Sequence, residues 1–147
     1  MKSIFLFTAI AAASAMIAAA EPGAATSEER ALVLAAFKAS KAEVATVVTP
    51  KRGPDSMLPN CYKENFSFTI PSIAPAGGQV FICSKKEYGD SLVAYFRQYQ
   101  ALAGPYIYQS KDGRVVAQLN KGLGFADAEK FESAIKPLEL PVAEDRE

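Results

Sequence analysis

Side chains able to do chemistry are scarce in this chain of 147 residues, and histidine is absent. Without imidazole there is no Ser-His-Asp triad, no Cys-His pair and no His-ligated zinc. Two cysteines are present, Cys61 and Cys83. Their spacing is not the C-x-x-C of a redox pair, and two thiols are too few for a zinc site, so neither metal nor cofactor is expected. Carboxylates remain. Glu64, Glu87 and Asp90 stand near expected strand and helix ends, and two acids facing each other across a cleft could cleave glycosides. Asp90 already reads as a helix cap, however, and Ser91 lies outside any nucleophile-elbow or S-x-x-K pattern. Neither Gly-rich phosphate loop occurs, and "KDGR" at 111–114 lacks the acidic spacing of a calcium loop. The inventory favours binding over catalysis, with a carboxylate-dependent hydrolase as the remote third reading.

The densest feature is aromatic. "AYFRQYQALAGPYIYQSKDGRVVAQLN", residues 94–120, holds four tyrosines and a phenylalanine. Tyr95 and Tyr99 share a stripe at helical spacing, and Tyr106 and Tyr108 share the apolar face of a hairpin. Core packing explains all four, with their hydroxyls at the margin. A pocket between helix and hairpin, lined by Tyr99, Tyr106 and Tyr108, would instead suit a small apolar or aromatic ligand. The other hairpin face sets Ile107 and Val116 beside Gln109 and Gln118. That apolar patch with a polar rim has the composition of a protein interface, unless the first helix covers it.

The N-terminus sets the expected compartment. "MKSIFLFTAIAAASAMIAAAEPG" carries one charge, Lys2, before an uncharged run from Ser3 to Ala20. Ala18 and Ala20 form an A-x-A signal, so residues 1–20 read as a signal peptide cleaved after Ala20, with cleavage after Ala15 the weaker alternative. A retained membrane anchor fits less well, because the run is short and Ala-rich and no basic cluster follows it. The expected location is the periplasm. Two cysteines in an exported chain read as one disulfide, Cys61–Cys83. Residues 21–147 make one domain. Once Lys2 is lost, fifteen basic residues face sixteen acidic ones. Lys51-Arg52 and Lys85-Lys86 are pairs rather than patches, so no nucleic-acid partner is expected.

The elements that must position these residues follow from periodicity. Thr26 and Glu29 form a capping box for a helix running to about Val48, with Leu34, Phe37, Lys41, Val44 and Val48 on one stripe and Pro50 as its stop. Residues 50–60 form a connector rich in proline. Residues 65–70 alternate as a strand with Phe66, Phe68 and Ile70 inward, and residues 79–84 return, apolar on both faces. Ser84-Lys85-Lys86-Glu87 has the pattern of a capping box but Gly89 interrupts it, so Asp90 is the better cap, for a helix from Ser91 to about Ala103 closed by Gly104-Pro105. Asp112-Gly113 makes a two-residue hairpin turn that sets Tyr106 opposite Leu119, Tyr108 opposite Ala117, Ile107 opposite Gln118 and Gln109 opposite Val116. Asp127 caps a last helix ended by Pro137, and residues 139–147 form a flexible tail. The sum is an α+β domain in α-ββ-α-ββ-α order, a four-stranded antiparallel sheet with helices mainly on one face. Its expected role is that of a small exported, non-catalytic binding protein acting on another envelope or periplasmic protein. A carrier or sensor of a small apolar ligand is the runner-up.

Overall fold

A computed structural model of the protein describes residues 27–142. The signal peptide, the expected Thr26 cap and the end of the tail lie outside them. The chain order is α1 (Glu28–Ala39), β1 (Ala45–Val48), β2 (Glu64–Thr69), β3 (Gly77–Ile82), α2 (Lys86–Gln98), α3 (Gln100–Ala103), β4 (Ile107–Gln109), β5 (Val115–Leu119) and α4 (Phe125–Ile135). The strands form one antiparallel sheet in the order β1-β2-β3-β5-β4. The fold is α+β, with five strands where four were expected.

The extra strand comes out of the expected first helix. Ser27 Oγ accepts the Arg30 N–H and caps α1, which ends near Ala39 rather than Val48. Lys41 takes the left-handed conformation at φ 62°, Lys41 N–H donates to the Lys38 carbonyl, and Ala42 N–H reaches back to Phe37. These are the paired bonds of a Schellman stop, with lysine where glycine is usual. The β-branched run that follows then behaves as its side chains prefer and forms β1 on the edge of the sheet. There Ala45 pairs with Thr69 and Val48 with Ser67, across a bulge.

The sheet is covered on both faces, not mainly on one. Phe66, Phe68, Val80, Ile82, Val115, Ala117 and Leu119 point toward α1 and α4 and meet Val33, Phe37, Phe131 and Ile135. The rings of Phe37, Phe68 and Phe131 lie 5.1–5.9 Å apart as centroids, edge-on or stacked as aromatic clusters prefer. The opposite face packs Phe81, Ile107 and Val116 beneath Leu92 and Phe96 of α2.

That second helix starts at Lys86, four residues before the expected cap, so Asp90 lies inside it. Gly89 did not interrupt the helix; it permits its docking. A Cβ there would fall 1.8 Å from the Gly113 carbonyl oxygen, so only glycine lets α2 approach the hairpin turn. The hairpin itself has the expected register, with Ile107 opposite Gln118, Tyr108 opposite Ala117 and Gln109 opposite Val116. Its turn is longer than two residues. Ser110 N–H bonds to the Val115 carbonyl and Gly113 N–H to the Ser110 carbonyl, with Gly113 at φ 78°.

Two smaller expectations are also corrected. Helix α4 begins at Phe125, and Asp127 sits in its first turn, bonded by Ser72 Oγ and Lys130 rather than acting as the cap. The start of the tail is anchored. Leu140 is buried, its N–H donates to Asp112 at 2.7 Å, and Arg114 donates to the Pro141 carbonyl.

Candidate functional site: an apolar groove beside the second helix

Helix α2 is too short to cover its face of the sheet. It roofs Phe81, Ile107 and Val116 and then breaks at Tyr99, whose backbone (φ −109°, ψ 30°) leaves the helix. The short α3 follows, closed by Gly104 at φ 87°. Ala103 packs back onto the cluster of Leu92 and Phe96, whereas Leu102 lies off that stripe and stands 80% exposed. From the other side the connector brings in Met57, 78% exposed. Between them lies a groove of about 450 Å³ lined by Met57, Tyr95, Tyr99 and Leu102, with Gln79 and Gln118 at its base.

No formally charged side chain lines this groove. Tyr95 and Tyr99 pack at 5.0 Å between centroids, and Tyr95 also meets Phe96 at 5.5 Å, so the aromatic wall is held from beneath. Gln79 donates to Gln118 across the strands at 3.0 Å, and Gln118 donates in turn to the Ala103 carbonyl at 2.6 Å. That chain fixes α3 to β5 and holds the base in one arrangement.

The expected site residues divide between the two faces. Tyr99 and Gln118 come together in the groove. Tyr106 and Tyr108 lie on the opposite face, half-buried against the α1–α4 core. A shared pocket with Tyr99 is therefore not formed. Burial, reinforced by Glu132, Tyr106 and Glu129, pushes the Tyr108 phenol up to about 12. Ile107 and Val116 are 6% and 0% exposed. The patch expected on that hairpin face is covered, and by α2 rather than the first helix. Gln109 is taken up structurally, donating to Asp90 and to the Gly113 carbonyl. Met57 and Leu102 were not read as site residues, because exposure depends on where the connector lands and where α2 breaks.

The candidate acids are held by separate partners. Glu64 receives Ser27 Oγ and Arg30 Nε, the latter at 2.7 Å. On α2, Lys86 and Gln109 hold the Asp90 carboxyl below the usual range. Cys61 and Cys83 are not bridged in the structure. Cys83 is buried beneath α2, while Cys61 directs its Sγ to the Tyr88 carbonyl at 3.5 Å. Burial first, then the neighbouring Cys61, pushes the Cys83 thiol up to about 12, partly opposed by Arg114. Such a thiol is a poor nucleophile at neutral pH.

Among the described residues no group of three or more Cys, Asp or Glu could hold a metal, and no helix is long and apolar enough to cross a membrane. No family model, curated protein or solved structure gives a significant match to the chain.

Proposed function

We propose that this is a non-catalytic binding protein of the periplasm that docks another envelope or periplasmic protein through the groove beside α2 and α3. One observation carries the reading: Met57, Tyr99 and Leu102 are exposed around a single uncharged hollow with an ordered polar base. Burying such side chains against a partner removes apolar surface from water at roughly 25 cal/mol per Å². Aromatic and Met-rich patches depleted of charge are the usual centres of protein interfaces. The groove is open along its length, which suits an apolar side chain projecting from a partner. An enclosed cavity would have favoured a small ligand instead.

A photoreactive residue at position 102 tests this in the exporting cell. A discrete adduct with a second protein, lost when Tyr99 is replaced by Ala and absent from a probe at exposed Phe125 on the far side, is the expected result. A position-102 adduct unaffected by Tyr99→Ala, or no adduct, contradicts it. Export and a Cys61–Cys83 bridge formed in an oxidising compartment belong to the same proposal. Thiol titration of exported, unfolded, unreduced protein should find no free cysteine; two per chain would refute the bridge.

A further inference from the structure

A second concavity, of about 430 Å³, lies where the start of α1, the connector and the start of β2 meet. Its charges do not balance. Its lining holds Arg30, Arg52 and Lys63 against the one carboxylate of Glu64, while Glu29, outside the lining, is shared by Lys63 and Arg114. Both oxygens of each carboxylate are already engaged. Glu64 accepts Ser27 Oγ and Arg30 Nε, while Glu29 takes Lys63 and, at 2.6 Å, Arg114.

Among the described residues Arg52 pairs with no carboxylate. Its guanidinium donates to the Ser56 and Leu58 carbonyls and, at 3.4 Å, to Tyr62 Oη. Those contacts shape the connector but leave the charge uncompensated. The Lys63 ammonium is solvent-accessible beside it, and the Asn60 amide and Tyr62 hydroxyl add neutral donors to the wall. Arg30 is held rigid by Glu64, by Thr49 Oγ1 at 2.8 Å, and by the Phe66 ring, 4.9 Å from its guanidinium carbon.

We propose that this pocket binds a small molecule through an oxyanion, a phosphate or carboxylate group, with Arg52 as the principal ligand and Lys63, only half-compensated because Glu29 is shared with Arg114, as its second charge. Arg52 Nη2 is spent on the Ser56 and Leu58 carbonyls, so the oxyanion is met by the charge and the remaining N–H donors of Arg52, with the exposed Lys63 ammonium completing the contact. Glu64 does not oppose the ligand, because Arg30 neutralises its charge and Ser27 Oγ occupies its other oxygen. The site lies apart from the apolar groove and does not depend on the reading given above for it.

Calorimetric titration of the full mature protein with inorganic phosphate, and separately with citrate, tests the proposal at ionic strength held constant with sodium chloride. Saturable binding of either anion is expected, and the better of the two names the class. Arg52→Gln, at an exposed position, should weaken it at least about tenfold, the loss expected for a charge-assisted hydrogen bond. Lys63→Gln should weaken it less. Far-UV circular dichroism without ligand should be unchanged in Arg52→Gln, with only a small fall in melting temperature from the lost connector bonds. Heats no larger than chloride gives, or equal affinity in wild type and Arg52→Gln, would overturn the site.

Discussion

The two faces of the sheet are built from similar residues and end in different states. Toward α1 and α4, apolar positions on four strands meet two helices and are closed over, with Phe37, Phe68 and Phe131 at the centre. Toward α2, one helix covers β3, β4 and β5, stops at Tyr99, and leaves Gln79 and Gln118 under an open groove. The difference teaches that exposure here comes from helix length and position rather than from composition. Leu92 and Leu102 carry the same side chain, yet one is fully buried and the other 80% exposed. A face finished by one short helix has unused apolar surface, and that is where a partner can be accommodated.

The closed face should show the largest effects. Phe131→Ala removes a ring packed on two others and should cost about 3–5 kcal/mol in urea unfolding, the range for large aromatic truncation in a packed interior. A loss under about 1 kcal/mol would mean that this core is loosely packed.

The attachment of α2 comes next. Gly89→Ala places a methyl group against the Gly113 carbonyl, and should cost about 1–3 kcal/mol, as overpacking does. The loss should be accompanied by a change in tyrosine fluorescence as α2 lifts. If Gly89→Ala is neutral, α2 is not docked on the hairpin turn as described.

Titration separates the faces by pH. Burial would raise the Asp112 carboxyl, but Ser110 Oγ, the Leu140 and Arg114 N–H groups and the Arg114 charge hold it below the usual range. Its contribution is therefore full above about pH 4, the unfolded value, and is lost as pH falls through the lower folded one. Asp112→Asn should flatten that acid limb. In reduced protein the buried Cys83 works in the opposite direction. The fold keeps its proton from pH 9.0 to about 12 while the unfolded chain releases it, so stability should fall as pH rises through that window. Urea midpoints from pH 3 to 11 for wild type, Asp112→Asn and Cys83→Ala check both limbs.

Much of the sheet was legible in the sequence. Strict alternation in residues 65–70 carried the facing of Phe66 and Phe68, and a turn placed at Asp112-Gly113 carried the pairing of Ile107 with Gln118, although the turn itself is longer than two residues. The misreadings have local causes. Lys41 stops α1 in a conformation normally signalled by glycine, so residues 45–48 read as helix by periodicity although their β-branching favoured a strand. Gly89 reads as an interruption because its role depends on a carbonyl twenty-four residues away in the chain. Of the groove, Tyr99 and Gln118 were named in the sequence but as parts of two different sites; Met57 and Leu102 were not named, since no local pattern records the break at Tyr99 or the landing of the connector. Arg52 was visible only as half of a basic pair, because its missing counter-charge is a property of the folded pocket.

The groove itself is tested most directly by Leu102→Asp, with stability and partner retention measured on the same preparation. At an exposed position outside the core, the substitution should change the unfolding free energy by no more than about 0.5 kcal/mol. It should also abolish the adduct formed by a photoreactive residue at position 57, on the opposite wall. A variant that is strongly destabilised, or one that stays stable and keeps the adduct in full, would contradict the assignment of this face as the binding surface.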